Sequence, residues 1–414
     1  MLTLSSSNGT GGTVKASPED FIVREITAKG FALSLNEKYA PAQLGETENK
    51  EGKFTTFVLQ KRNWETVNAL IKIAKLTGRG KKSIAYAGSK DRQSVSVQLA
   101  SIFGIEPAQI ASMNIKDISI NGAWKSDGIE LGSNIGNAFT VIVRNCVEVD
   151  NIERIISELN GKAPNYFDRQ RFGLRLNNFA VGMKLLKSDF NGAVMEFLTN
   201  TNLETNADAV RARSMLAQNP DFKEALQYFP RYLKPERSVI EYMARYDNYA
   251  NAMRKLPRGI LLMFVHAVQS VIFNASLERR IKDQDFESEI NCNKNFYGFP
   301  DANAVSAQGE FALGTIVGYD TKPERISEFE KEIMEKLELK TEDFKIKSMP
   351  ELSLRGSLRT LMMPIKDLSY KTENKDATIS FSIPSGSYAT ILINEVTKSD
   401  TLTIREITRP SQVF

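Results

Sequence analysis

The residues best suited to chemistry in this chain lie between Tyr86 and Gln98, in the run Tyr-Ala-Gly-Ser-Lys-Asp-Arg-Gln-Ser-Val-Ser-Val-Gln. A lone carboxylate, Asp91, stands between two cations, Lys90 and Arg92. Neighbouring cations favour the ionised form of a carboxylate, the form a nucleophile or a general base requires. Gly88 permits a tight turn before the triplet. Ser94-Val95-Ser96-Val97-Gln98 alternates after it and predicts a half-buried strand. Taken alone, the triplet reads more readily as a solvated turn, because charges at surface turns are common.

Residues 164–173 change that balance. They read Pro-Asn-Tyr-Phe-Asp-Arg-Gln-Arg-Phe-Gly, with Tyr166, Phe167 and Phe172 interleaved with Arg169, Arg171 and the amides Asn165 and Gln170. Aromatic faces stack on unpaired bases, while arginines bind phosphate or stack in turn. The same pattern also suits core aromatics flanked by solvated arginines.

Together the two stretches resemble the tRNA pseudouridine synthase D family, in its long archaeal-type form. The family signatures are a Gly-x-Lys-Asp-Arg segment ending in Gln and an Asn-x-Phe-x-x-Gln-Arg-Phe-Gly segment. Both are present here in family order. The resemblance runs from Phe21 to Glu395. It takes in an acidic pair followed by Phe-x-Val and Glu25, the Gly136-Asn137-x-Phe139 turn, the segment Phe264–Asn274 and a closing Pro384-x-Gly-Ser-x-Ala-Thr. It implies isomerisation of uridine to pseudouridine in tRNA, at uridine 13 of the D arm, with no cofactor and no metal. Asp91 is then the catalytic residue and Phe167 the ring that stacks on the target base. Asn165 is expected to hydrogen-bond near Asp91, and Lys90 and Arg92 to keep the carboxylate ionised. Arg92 is also a phosphate candidate. Gln170, Arg171 and Phe172 would shape the loop, with Arg171 kept among the substrate contacts, and Glu25 and Lys15 would lie on the cleft rim. The chain departs from the family in two places: Ser94-Val95-Ser96 replaces Ala-Val-Thr, and a Gly-x-His element is missing. Two other classes compete with this reading: a non-catalytic RNA-binding protein of the same fold, and a hydrolase using Asp91 on a small substrate.

The elements around these stretches set the frame. A chain of 414 residues exceeds a typical single core, so two domains are expected. Charge is nearly balanced, 54 basic against 50 acidic residues, which allows a local basic cleft without demanding one. Cys146 and Cys292 have no metal spacing, and a reducing cytoplasm fits them. His266 is the only histidine, which argues against multi-histidine metal sites, and a packed structural role suits it better than catalysis. No signal peptide and no membrane span are predicted.

Phe21 and Val23 should share one face of a short strand, with a second strand over Thr56–Gln60. Asn63 is the expected cap of a helix with Val67, Leu70, Ile71 and Ala74 on one face, ended by Gly78. The basic loop Gly78–Ser83, with Lys81 and Lys82, fails the phosphate-loop pattern and reads as a surface that either meets an RNA backbone or is merely solvated. Asp150 and Glu153 have capping-box spacing before a helix carrying Ile152, Ile155, Ile156 and Leu159. Helical patterning dominates from 180 to 285, most strongly over Gly259–Arg280, and resumes at Arg325–Leu337. Arg355 and Arg359 read as loop residues that reach RNA or pair with acids. Ala377–Ile383 alternates as a strand, and a turn leads to further strand signal at Ile391–Val396. The expected fold is α+β: a pseudouridine synthase-like catalytic domain with a mixed or antiparallel sheet, from residues 1–170 and 368–414, and an inserted α/β domain over 171–367. The tRNA is the partner implied, and the protein is expected to act as a monomer.

Overall fold

Val141 and Val143 are fully buried and alternate with the half-buried Thr140, Ile142 and Arg144 along Gly136–Arg144, with Phe139 on the same face, and that strand joins the N- and C-terminal parts of the main sheet. The computed structural model describes residues 1–285, 312–399 and 402–408. In chain order its strands are β1 (Thr13–Val14), β2 (Phe21–Ile26), β3 (Phe54–Arg62), β4 (Ile84–Tyr86), β5 (Val95–Phe103), β6 (Ile118–Ser126), β7 (Gly136–Arg144), β8 (Lys162–Pro164), β9 (Leu313–Ile316), β10 (Ser357–Thr360), β11 (Met362–Pro364), β12 (Lys366–Glu373) and β13 (Asp376–Pro384). The large sheet runs β12-β13-β7-β2-β5-β3-β6, with β1 added to β7 and β4 to β5. Only β2 and β5 pair in parallel; every other pair in the sheet is antiparallel.

Cross-strand packing explains the register. Phe139 faces Val23 on β2 and Phe381 on β13, and its ring stacks on Phe381 at 5.2 Å and meets Phe21 edge-on at 5.9 Å. A slip of one residue would turn all of these rings to the other face. The C-terminal strands β12 and β13 thus complete the sheet that the first 150 residues begin. One continuous buried cluster links Phe21, Phe139 and Phe381 with Phe167, Phe273 and Phe344. The class is α+β with a mixed sheet, as expected.

The helix Arg258–Asp283 has the length and apolar character of a membrane span, but 78% of its apolar window is buried inside the protein. Leu261, Phe264, Val265, Val268, Ile272, Phe273 and Leu277 are all buried. It is a core helix, packed against the helices Asn178–Leu186 and Glu328–Lys336.

Four local expectations are corrected. Asn63 does not cap the helix Thr66–Leu76; it adopts a left-handed turn with φ 54°, and Glu65 stands at the cap. That helix buries Ala69, Leu70, Ile73 and Ala74, a stripe rotated from the expected one to face Phe57 and Ile102. Asp150 makes no capping bond to the helix Asn151–Leu159, because its own backbone is already helical. Ile391–Val396 lies in the helix Ala389–Thr397, not in a strand. Its β-branched residues favour extended backbone only weakly, and packing against β8 and the helix Asn151–Leu159 overrides them. Cys146 is buried as a free thiol, and burial pushes its pKa up. Cys292 lies outside the described residues.

Candidate active site

The Asp91 carboxylate sits at the tip of the loop between β4 and β5, and its side chain is 40% exposed. Two residues hold it. The Lys15 ammonium donates to Oδ2 at 2.9 Å, and the Gln170 amide donates to Oδ1 and Oδ2 at 3.2 and 3.3 Å. Lys15 follows β1 with φ 59°, and its ammonium also lies 4.2 Å from the Phe21 ring centroid. Gln170 comes from the single helical turn Arg169–Phe172. So the two sequence stretches meet at this carboxylate, through a residue that sequence reasoning gave only a loop-shaping role.

The backbone under Asp91 is fixed from the buried side. Lys61, at the end of β3, donates its ammonium to the carbonyls of Trp64 at 2.6 Å, Asp91 at 3.0 Å and Lys90 at 3.3 Å. Ser94 Oγ donates to the same Asp91 carbonyl at 2.8 Å. Thr66 Oγ1 accepts from the Lys90 N–H at 2.9 Å, and the Gln98 amide donates to the Gly88 carbonyl at 3.0 Å. The Gly88, Lys90 and Asp91 carbonyls and the Lys90 N–H thus each meet a partner in the protein. Burial, with the Lys90 ammonium beside it, pushes the Lys61 pKa down from 10.5 to about 8.

Lys90 does not serve Asp91. It is buried, and its ammonium pairs with Glu25 Oε2 at 2.9 Å. Glu25 is likewise buried, not on a rim, and its Oε1 accepts the Leu99 N–H at 3.0 Å. The carboxylate serves β5 just beyond the residues Val95–Val97 that β2 pairs with directly. A charge in that position needs an opposite charge, and Lys90 is that charge. Of the two cations flanking Asp91 in sequence, then, one points inward to Glu25 and the other, Arg92, is exposed to solvent.

Asn165 is fully buried, and four bonds match the capacity of its amide. Its Oδ1 accepts from Arg359 Nη2 at 2.6 Å and Ser387 Oγ at 3.1 Å, and its Nδ2 donates to Thr360 O at 3.2 Å and Oγ1 at 3.0 Å. Its role is thus to join three segments, in place of the expected bond near Asp91. Arg359 is at their centre. It is buried on β10, donates to the carbonyls of Asn165 at 2.8 Å and Gly386 at 3.0 Å, and lies 4.2 Å from the Phe167 centroid. It lies on a strand, in place of the loop expected from the sequence. Arg355, in contrast, is exposed and meets the Tyr319 hydroxyl.

Phe167 is only 7% exposed. Its ring meets Phe273 and Tyr388 edge-on at 5.6 and 6.4 Å, with the Arg171 guanidinium 5.1 Å away. Asn274, from the core helix, clamps its backbone with bonds of 2.9 and 2.8 Å. Asp168 accepts from Thr390 Oγ1 at 2.6 Å, fastening this stretch to the last long helix. His266 bonds Gln269 within its own helix, and burial lowers its pKa.

A cavity of about 660 Å³ opens beside the Asp91 clamp, with Lys15, Phe21, Gln170, Leu174 and Thr390 among its walls. Lys81 and Lys82 form an exposed basic turn before β4. Among the described residues, no group of three metal-ligating side chains comes together.

A missed residue such as Lys61 left little trace in sequence. A lysine closing an apolar strand looks like a solvated end until the loop it anchors is brought beneath it.

Comparison with known proteins agrees with the geometry. Residues 2–396 match the family model described as tRNA pseudouridine synthase D. A protein of Thermococcus sibiricus described as a probable tRNA pseudouridine synthase D is 31% identical, with 95% of this chain and 97% of that protein aligned. One of Methanococcus maripaludis, a probable tRNA pseudouridine synthase D 2, is 32% identical over 93% of this chain and 95% of its own length. A crystal structure from Methanosarcina mazei, assigned to tRNA pseudouridine synthase D, superposes with a TM-score of 0.73 at 27% identity, covering 98% of this chain and 97% of that one.

Proposed function

The chain belongs to the tRNA pseudouridine synthase D family, and from that membership we propose that it isomerises uridine to pseudouridine in tRNA, at uridine 13 of the D arm, with Asp91 as the catalytic carboxylate and Phe167 stacking on the displaced base. The observation that carries this reading is the Asp91 clamp: a half-exposed carboxylate, ion-paired by Lys15 and hydrogen-bonded by Gln170, on a loop locked from the buried side. A preorganised carboxylate whose partners Lys15 and Gln170 line a cavity suits attack on, or proton removal from, a sugar–base unit that has left the RNA stack.

The reaction breaks the N1–C1′ bond, turns the base and rejoins it through C5, releasing the C5 proton to solvent. Lys15 pairs with the carboxylate and Gln170 fixes its plane. Phe167 supports the base. A planar guanidinium and a nucleobase use an aromatic face alike, so the half-buried Arg171 is the group that an entering uracil displaces from the ring. Asn165, Lys90 and Glu25 act indirectly, by holding the segments that carry Phe167 and Asp91. Arg92, Lys81 and Lys82 are exposed cations available to the RNA backbone. The reaction is read as cytoplasmic, carried out by a monomer without metal or cofactor, in a catalytic part formed by residues 1–170 and 368–414 with 171–367 inserted.

The test uses tRNA carrying tritium at uridine C5. Wild type should release tritium to water, and mapping of the product by base derivatisation should place pseudouridine at position 13. A folded protein that binds tRNA but releases no tritium would favour the non-catalytic RNA-binding alternative.

A further inference from the structure

We infer that Lys61 is a positioning residue for Asp91, holding the aspartate's loop through its ammonium group; the inference rests on Asp91 being the catalytic carboxylate. Lys61 is 1% exposed. Its three bonds all go to main-chain carbonyls, those of Trp64, Lys90 and Asp91. Three carbonyls match the three protons of an ammonium group; a neutral amine has two. Two of these carbonyls are consecutive in the loop, so the ammonium fixes the two peptide planes that flank the Asp91 Cα. The Asp91 carboxylate, carried by that same Cα, meets Lys15 and Gln170.

A buried cation bound only to carbonyls is an expensive way to fill this space, since an apolar side chain would avoid desolvating a charge. What it adds is a fixed loop. The charged groups around it are the Lys90 ammonium, which disfavours its charge, and the Asp91 and Glu65 carboxylates, which favour it. Burial outweighs the carboxylates and brings the ammonium's titration to about pH 8. The loop therefore loses one of its three bonds as pH rises through that value, and the rate should fall with it.

The experiment is single-turnover tritium release from C5-labelled tRNA, between about pH 6 and 10, for wild type and Lys61→Met. Release by wild type near neutral pH tests the isomerase reading itself; the remaining measurements test Lys61. Wild type should show an alkaline fall centred near pH 8. Lys61→Met should bind tRNA within about twofold of wild type. Its rate should be lower on the order of 100-fold, the effect of misplacing a reacting group by about 1 Å, and should not show that alkaline fall. A folded Lys61→Met with the wild-type rate, or one that keeps the alkaline fall, overturns the inference. Should the variant not fold, the wild-type profile decides alone: a rate that stays flat through pH 9 overturns the inference, and a fall near 8 supports it.

Discussion

The Arg359 guanidinium lies 4.2 Å from the centre of the Phe167 ring, and the same guanidinium bonds the Asn165 side chain at 2.6 Å. One buried cation therefore fixes both residues of the Asn-x-Phe signature, and it comes from a strand nearly 200 residues away. The ring proposed to meet the base is built as core.

That arrangement sets the first prediction. Truncating the enclosed ring, Phe167→Ala, should destabilise the fold by about 3–5 kcal/mol, and chemistry would be lost along with structure. Phe167→Leu is the informative change. It keeps an apolar side chain of similar volume and should cost less than about 1.5 kcal/mol, but it has no π-face. If the ring stacks on uracil, the loss of about 1–3 kcal/mol should slow single-turnover isomerisation by roughly 5–150-fold. Thermal unfolding and turnover on the same preparation separate the two roles; normal turnover in stable Phe167→Leu would make Phe167 purely structural.

Asp91→Asn keeps the shape of the side chain and removes its charge. The Lys15–Asp91 pair is partly exposed, so its contribution to stability is screened and small. Melting temperature should hold, tRNA binding should hold, and tritium release should drop by at least about 100- to 10,000-fold. Turnover close to wild type would move the chemistry elsewhere.

Lys15 and Lys90 should respond in opposite ways. Lys15→Met leaves Asp91 without its cation and should lower the rate with little change in stability. Lys90→Met strands the buried Glu25 carboxylate, a defect of about 3–5 kcal/mol, and should shift the unfolding midpoint strongly. Pairing it with Glu25→Gln should recover part of that loss. Equal effects of Lys15→Met and Lys90→Met on unfolding would contradict this division of labour.

Lys61 gives stability a defined pH dependence. Its pKa is 10.5 when unperturbed and about 8 in the fold. Between those values the unfolded chain holds the proton and the native protein does not, so this group's contribution rises with pH. Below pH 8 the full penalty is present, and above 10.5 it is gone. Denaturant unfolding of wild type relative to Lys61→Met should improve by at most about 3 kcal/mol across that window. A constant difference would mean that the three carbonyls hold the ammonium charged throughout.

If the exposed Lys81 and Lys82 touch the tRNA backbone, replacing both with Ala should make the plot of log affinity against log salt shallower by about 1–2 units. An unchanged slope would return the turn to plain solvent exposure.

The candidate site stretches were legible in sequence because they are local. Asp91 within Lys-Asp-Arg and Phe167 within the aromatic–arginine run stood out as candidates by residue type and spacing, and the resemblance to the family is what gave them proposed roles. The alternating strands around Phe139 and Phe381, and the long apolar stripe of the core helix, were legible too, since period-two and near-four repeats are properties of the backbone itself. Which charge faces which was not local. Lys90 neighbours Asp91 in sequence, yet the strand carrying Glu25 turns it inward, while Lys15, 76 residues away, reaches the carboxylate. Gln170, Lys61 and Arg359 acquire their roles only when β3, β5 and β10 are packed around the two loops. Ion pairs and hydrogen bonds act over a few ångströms in space and carry no mark in the chain, so only the tertiary structure could choose among the cations that composition offered.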